Sequence, residues 1–337
     1  MFVTASKFLS KVKRLSIISD GQFSVYHKNN KIFQTNFPEE PFDEFAVFTG
    51  TIGENRKAII SLSKNGMAKQ FIKIPLTVSS AKLVKNEFQQ LSKLGKSVFQ
   101  TTILPVVKYK DDQIMVSNVS PSLKNKNKDW SSIHWKSLKE LYTNSYQKKS
   151  LNKSSFWDTI KEGVQFLNGS FDCKNGLSEK NIQSLKRFVE QGIDETDSTT
   201  PVPLGIGHGD FTPWNMYVGE SKLHIYDWEM SQPDFPLLFD VFHYFFQKGI
   251  LIQKKNFAGI WKEIQTELQS KEAEILIKKF EVNIEKHFQL YLIYIVSYYL
   301  PKYISQPTLH NQVHWLISTW LEAFQSMNDK KMVNVPS

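Results

Sequence analysis

The sequence predicts an α+β chain of two lobes, a small β-rich first lobe with one key helix and a larger, mainly helical second lobe. Three observations carry this expectation. Strand-like segments crowd residues 45–116 and are interrupted by a single helical stripe. A polar connector follows at residues 120–130, with Ser120-Pro121-Ser122 and then Lys124-Asn125-Lys126-Asn127-Lys128. Helical periodicity dominates from Trp130 onward, apart from a short β interlude at 204–228. The expected lobes are residues 1–119 and 120–337.

The elements of the first lobe follow in order. Phe23–Tyr26 and Lys31–Gln34 flank a turn-like Lys28-Asn29-Asn30 and read as a hairpin within a mixed preamble. Phe45–Phe48, Lys57–Ser63 and Gln70–Ile74 form an antiparallel meander, turned at Lys64-Asn65-Gly66. Ser79-Ser80 opens a helix whose stripe is Leu83, Phe88, Leu91 and Leu94, and Gly95 stops it. Val106–Tyr109 and Gln113–Val116 are two further strands joined at Asp111-Asp112. In the second lobe, loop breaks fall near 148–153 and 172–176, and residues 237–325 are mostly helical.

Composition bounds the function. Hydrophobic residues are 41% and charged residues 22%, so a packed core is expected and disorder is not. The single cysteine, Cys173, excludes an intrachain disulfide and a Cys-based zinc site. Lys7, Lys11, Lys13 and Arg14 break up any apolar run of a secretory signal. The most apolar stretch, Phe288–Leu300, is shorter than the roughly 20 residues that span a bilayer, and Pro301 is expected to end it. A cytoplasmic protein without membrane insertion is expected. Residues 1–119 hold 17 Lys and Arg against 9 Asp and Glu, whereas residues 120–337 are nearly neutral. One reading of that bias is nucleic acid, against which the scattering of the basic residues argues; the other is a lobe that handles polyphosphate, which the motifs below favour.

The chemistry concentrates in His208-Gly209-Asp210-Phe211-Thr212-Pro213-Trp214-Asn215. A strand Met216–Val218, a turn at Gly219–Ser221 and a strand Leu223–Tyr226 follow, and deliver Asp227-Trp228-Glu229. A loop and a tight hairpin thus bring Asp210, Asn215 and Asp227 towards one point. The trio suits phosphoryl transfer: one carboxylate orients and deprotonates a hydroxyl, while an amide and a second carboxylate hold Mg²⁺ against phosphates.

This pattern resembles the catalytic-loop and metal-loop signature of protein-kinase-like folds. His-Gly-Asp, in place of His-Arg-Asp, is similar to the aminoglycoside phosphotransferase and choline kinase branch. So are Asp227-Trp228-Glu229, where Phe-Gly does not follow the aspartate, and Pro233-Asp234-Phe235-Pro236 with Asp240. The resemblance covers roughly residues 45–245. It implies a protein-kinase-like bilobal fold, Asp210 as catalytic base, and Asn215 and Asp227 as Mg²⁺ ligands. It also implies that Asp240 anchors the catalytic loop and that His208 shapes it by hydrogen bonding.

The first lobe supplies an independent test. Lys73 lies in the third meander strand and points opposite to Ile72 and Ile74, and Glu87 lies on the following helix. A lone strand lysine is usually solvent-facing; with Glu87 it reads as the clamp on the α- and β-phosphates. Gly50-Thr51-Ile52-Gly53-Glu54-Asn55 joins the first two strands. Alone it is a hairpin turn; in this context, backbone N–H groups from Thr51 to Asn55, with Gly50 and Gly53 permitting the turn, are expected to meet phosphate. The resemblance alone places the adenine at backbone groups around Ser117–Val119.

His224, His243 and His287 show no metal spacing and read as core or surface residues. Glu229 reads either as a substrate or metal-site contact or as a structural ion-pair member. Trp130, Trp135 and Trp157 read as core, in a region that borders the acceptor pocket in related kinases.

The expected activity is transfer of the γ-phosphoryl group of ATP, or GTP, to a hydroxyl of a small molecule. The acceptor classes are a sugar, an amino sugar or an amino alcohol, including a cell-envelope polysaccharide precursor. A protein kinase is disfavoured, because Thr212 stands where serine/threonine kinases carry Lys and no Ala-Pro-Glu follows Asp227. The alternative from another class is a pseudokinase, a nucleotide-binding scaffold without catalysis.

Overall fold

The computed structural model describes residues 42, 44–50, 53–120, 129–170 and 175–329. Thr51, Cys173 and the hairpin expected at residues 23–34 lie outside the described residues. The chain divides into two compact units. One holds the described residues up to Ser92 together with Pro105–Val119; the other holds Lys93–Leu104 and the described residues from Ser120 onward.

The first unit is built on β1 (Glu44–Phe48), β2 (Lys57–Lys64) and β3 (Met67–Pro75), an antiparallel meander. Asn65 and Gly66 both take positive φ, the geometry of a tight hairpin turn matched to strand twist. Helix α1 (Val78–Leu94) crosses next; the chain then forms β4 (Thr102–Ile103) in the second unit and returns as β5 (Val107–Lys110) and β6 (Gln113–Ser117). The five strands pair in the order β1-β2-β3-β6-β5. Period-2 alternation divides their side chains. Ile60, Leu62, Ile72 and Met115 form a core on one face, and Val84 of α1, Ile114 and Val116 form a core on the other.

The second unit is mainly helical. It contains α2 (Ser132–Ser145), β7 (Gln147–Ser150), α3 (Ser155–Asn168), α4 (Glu179–Asp194) and β8 (Pro201–Gly207). The hairpin β9 (Met216–Val218) and β10 (Leu223–Ile225) follows, then β11 (Gln232–Pro236) and α5 (Phe239–Gln247). Helices α6 (Phe257–Leu268), α7 (Lys271–Phe280), α8 (Ile284–Ser305) and α9 (Asn311–Asn328) complete it. Two three-stranded sheets carry the functional loops: β4-β10-β9 and β11-β8-β7. The break expected at 148–153 is in part strand β7, which pairs antiparallel with β8.

Helix α8 is the hydrophobic axis of this unit, buried from Tyr291 to Ser297. Among the described residues, no helix is long and apolar enough to cross a membrane. The expected stop at Pro301 is not observed, because α8 runs on to Ser305 with the proline inside it. Proline lacks an N–H, so the carbonyl of Ser297, four residues earlier, loses its helical donor. That carbonyl faces Gly163 of α3, where a Cβ would lie only 2.0 Å from its oxygen. Glycine at 163 therefore lets two backbones touch where the proline has opened the helix. Gly163→Ala is expected to force α3 off α8 and lower stability by about 3 kcal/mol or more. Urea denaturation of the variant checks this.

Helix α2 is capped by Ser131, whose backbone N–H donates to His134 Nδ1 at 3.1 Å. The ring stacks on Trp130 at 4.8 Å and is fully buried. Burial pushes the His134 pKa down to about 4. An unfolded imidazole takes up its proton near 6.5, so the unfolded state binds more protons between these values. Stability is thus fully present above pH 6.5 and is lost as pH falls towards 4, by about 3 kcal/mol from this residue. The thermal midpoint of His134→Gln is expected to vary less steeply with pH over that interval than the wild type.

Candidate active site

Each of the two units carries its own set of the predicted residues. In the first unit, Lys73 stands on the α1 face of β3, as its alternation with Ile72 and Ile74 requires. Its ammonium donates to both oxygens of Glu87, at 2.9 and 2.7 Å, and both residues are buried. A buried charge of this kind is held in place by geometry, since each partner depends on the other for desolvation to be tolerated.

The turn between β1 and β2 is tied to the start of α1. Gly50 has φ +66° and approaches Lys57 O so closely that a Cβ would sit 2.9 Å away. Arg56 N–H donates to Gly53 O at 3.2 Å. The Thr77 hydroxyl donates to Glu54 O, and the Ser79 hydroxyl donates to Asn55 Oδ1 at 2.7 Å. At the far end of β6, Ser117 spends its N–H on Val106 O and its hydroxyl on Val106 N–H. Val119 has no hydrogen bond from its backbone groups among the described residues.

In the second unit, β8 ends at Gly207 and the loop turns at once. Gly209 has φ +79°, and a Cβ there would lie 2.3 Å from Met230 O. Only glycine fits that conformation and that approach, which is a physical reason for His-Gly-Asp in this chain. The buried Asp240 carboxylate accepts from His208 N–H at 2.8 Å and Gly209 N–H at 3.0 Å. Burial pushes its carboxyl above the usual carboxylate range, against the pull of those donors. This is the anchoring role expected for Asp240. Its helix, α5, starts from Leu238 in a left-handed conformation, φ +69°, whose N–H donates to the buried Tyr142 hydroxyl.

His208 is spent inside the loop. Its Nδ1 accepts from Asp210 N–H at 3.2 Å, so its Nε2 carries the hydrogen donated to Tyr226 O at 3.0 Å. The ring packs on the buried Trp228 at 4.8 Å, and Trp228 Nε1 donates to Ile225 O. Trp228 thus supports the loop from beneath.

Of the three predicted polar residues, Asp210 and Asn215 meet through their side chains, and Asp227 follows a residue whose backbone is bonded to Asn215. Asn215 Nδ2 donates to Asp210 Oδ2 at 2.7 Å and to Asp210 O at 3.0 Å. Register in the β9–β10 hairpin continues past its last pair, where Tyr226 N–H donates to Asn215 O at 3.1 Å. Asp227 follows immediately, in a left-handed conformation with φ +67°. Aspartate is among the few residues besides glycine that visit this region. Because the Asn215 amide hydrogens face Asp210, its carbonyl oxygen is turned away from it. That oxygen and the Asp227 carboxylate are the hard donors Mg²⁺ prefers, so the residues fit this ion.

Two contributors escaped the sequence reading. His243 of α5, read as core or surface, has Nε2 3.3 Å from Asp210 Oδ1. Glu140 of α2 accepts from the N–H groups of Gln100, Thr101 and Thr102 and from the Thr102 hydroxyl. It thereby holds β4 against β10, the strand that delivers Asp227. Neither residue carries a local sequence signal.

Asp240→Ala is expected to strand the His208 and Gly209 N–H groups and to cost about 3 kcal/mol or more of stability. Asp240→Asn, which keeps one acceptor, is expected to lose less. Chemical denaturation of both variants measures the difference.

No protein-family model matches the sequence, and comparison with curated proteins finds no relative. Solved structures do match. The amicoumacin kinase hAmiN in complex with AMP-PNP, Ca²⁺ and Ami is similar at a TM-score of 0.53 and 12% identity, covering 90% of this chain and 94% of that one. A Plasmodium vivax ethanolamine kinase is similar at 0.51 and 16%, covering 86% and 84%. APH(2'')-IIa in complex with gentamicin is similar at 0.50 and 14%, covering 90% and 99%. The β-sheet first unit, the helical second unit and these matches establish that the chain has the protein-kinase-like fold.

Proposed function

We propose that the chain is a phosphotransferase that moves the γ-phosphoryl group of ATP, or GTP, to a hydroxyl of a small molecule. The observation that carries the reading is the Asp210–Asn215 pair on a loop clamped by Asp240. A carboxylate so held meets an acceptor hydroxyl in a fixed orientation, which is what a reaction governed by positioning and charge neutralisation needs.

Each residue has a role in this reading. Asp210 orients the acceptor O–H and takes its proton as the oxygen bonds to the γ-phosphorus and the bond to the β-phosphate bridging oxygen breaks. Asn215, through its carbonyl oxygen, and Asp227 hold Mg²⁺. The ion, when bound, neutralises phosphate charge. Lys73, fixed by Glu87, meets the α- and β-phosphates. Gly50, Thr51 and Gly53 shape the turn that covers them, and the backbone at Ser117 and Val119 meets the adenine. The lobe of residues 1–119 is the nucleotide-binding part and residues 120–337 the catalytic and acceptor-binding part. In this reading the reaction takes place in the cytoplasm, and nucleic acid is not a partner.

A sugar, amino sugar or amino alcohol is the acceptor class, including a cell-envelope polysaccharide precursor. The similarity to an ethanolamine kinase and an amicoumacin kinase supports a small hydroxyl-bearing acceptor. The 3-10 turn at Trp228–Met230, followed directly by β11, disfavours a protein substrate, because little chain remains to dock a peptide.

The test is ADP release by purified protein with Mg²⁺-ATP or Mg²⁺-GTP and a panel of sugars, amino sugars, amino alcohols and nucleosides. Acceptor-dependent release is expected, and Asp210→Asn is expected to lower it on the order of a hundredfold or more while nucleotide still binds. An Asp210→Ala variant that keeps most of the activity would sink the role of that residue. Absence of both release and Mg²⁺-nucleotide binding would leave a scaffold.

A further inference from the structure

Asp210 is held on both sides. Asn215 Nδ2 donates to its Oδ2, and on the other oxygen stands His243, whose Nε2 is 3.3 Å from Oδ1. The imidazole is 1% exposed and lies parallel to the Phe239 ring, with Tyr291 edge-on to it. Its Nδ1 is buried with no hydrogen-bond partner among the described residues.

These facts fix the tautomer. A hydrogen on Nδ1 would be a buried donor with no acceptor, and Nε2 would then turn a lone pair onto a carboxylate oxygen. Both are unfavourable. A hydrogen on Nε2 satisfies the carboxylate and leaves only an acceptor lone pair in the apolar core. The buried ring is therefore a donor aimed at Asp210.

We propose that His243 is a positioning residue for Asp210, its Nε2–H and the Asn215 amide together fixing the plane of the carboxylate. Two donors, one on each oxygen, leave a carboxylate no freedom to rotate about its Cβ–Cγ bond. Of its roughly four lone-pair sites, those not engaged stay available to an incoming hydroxyl. The second donor makes Asp210 better oriented. His243 touches neither acceptor nor nucleotide in this scheme, and its position on α5 three residues after Asp240 means that one helix anchors both the loop and its carboxylate. The inference rests on the phosphotransferase reading for its consequence in turnover, and on geometry alone for the hydrogen bond.

The experiment has two arms. In the first, ¹H–¹⁵N correlation of the imidazoles in the intact wild-type protein reads the tautomer, with His243→Gln used for assignment. A neutral ring protonated at Nε2, with that resonance displaced in Asp210→Ala, is expected. A ring protonated at Nδ1, or doubly protonated, overturns the proposal.

In the second arm, His243→Phe keeps a flat ring against Phe239 and loses the donor, and His243→Asn and His243→Gln restore an amide donor. For the folded Phe variant, kcat is expected to fall on the order of tenfold to a hundredfold with KM for nucleotide and acceptor within about twofold. At least one amide variant is expected to recover much of the loss. A folded Phe variant with unchanged kcat, or one in which KM alone moves, overturns the proposal. Thermal unfolding and Mg²⁺-nucleotide binding confirm that each variant is folded; if the Phe variant is not, the amide variants are compared with His243→Leu by the same criteria. Wild-type protein that transfers no phosphoryl group would defeat the proposed function while the tautomer is still measured. Turnover together with the wrong tautomer would defeat the role of His243 alone.

Discussion

The buried carboxylate of Asp240 is the interaction on which the candidate site depends. Two consecutive backbone N–H groups, of His208 and Gly209, end on its two oxygens. Such groups are costly to bury unless they are paired, and here they occur where a strand stops and the backbone reverses. With that point fixed, the rest of the loop has few choices. His208 faces Tyr226 O on one side and Asp210 N–H on the other, and so sets the spacing between the loop and the hairpin. Asn215 then spans Asp210 through its side chain and Tyr226 through its backbone carbonyl. The chain places polar atoms by making each one terminate a backbone group of its neighbour, a better-ordered solution than long side chains reaching in from solvent.

The first unit solves its own problem differently. Lys73 stands on a strand face that is otherwise apolar, among Ile114, Val116 and the α1 residues Val84 and Phe88. A cation is tolerated there because Glu87 rises from α1 to meet it with both oxygens. Buried pairs of this type contribute little net stability, but removing one partner leaves a costly unpaired charge.

What the sequence made legible was local. The meander, α1 and the hairpin after Asn215 are encoded in short-range periodicity and spacing, and they stand where expected. What it concealed depends on distant partners. β4 is two residues long, and only its parallel pairing with Leu223 and His224 makes it a strand. β7 is polar in sequence and resembles a loop until β8 lies beside it. Pro301 is a helix stop by local rules, yet α8 continues through it to Ser305, with Gly163 of another helix close to the Ser297 carbonyl. His243 looked like any histidine in an aromatic run, because its partner lies on another element. Gly209 was legible as part of a motif, but the closeness of Met230 that makes glycine necessary was not.

The chain passes between the two units three times: after Ser92, after Leu104 and after Val119. Thr102 and Ile103 belong to a sheet whose other strands are made much later. As the polypeptide emerges during synthesis, β1, β2, β3, β6 and β5 have all their partners as soon as Ser117 is out, whereas β4 must wait for Leu223. The five-stranded sheet is therefore able to close around a loop whose destination does not yet exist. For the same reason no single cut in the backbone separates the units cleanly, since division after Val119 carries Gln100, Thr101 and Thr102 away from Glu140. The lobes of this molecule are distinct as packed bodies and inseparable as lengths of chain.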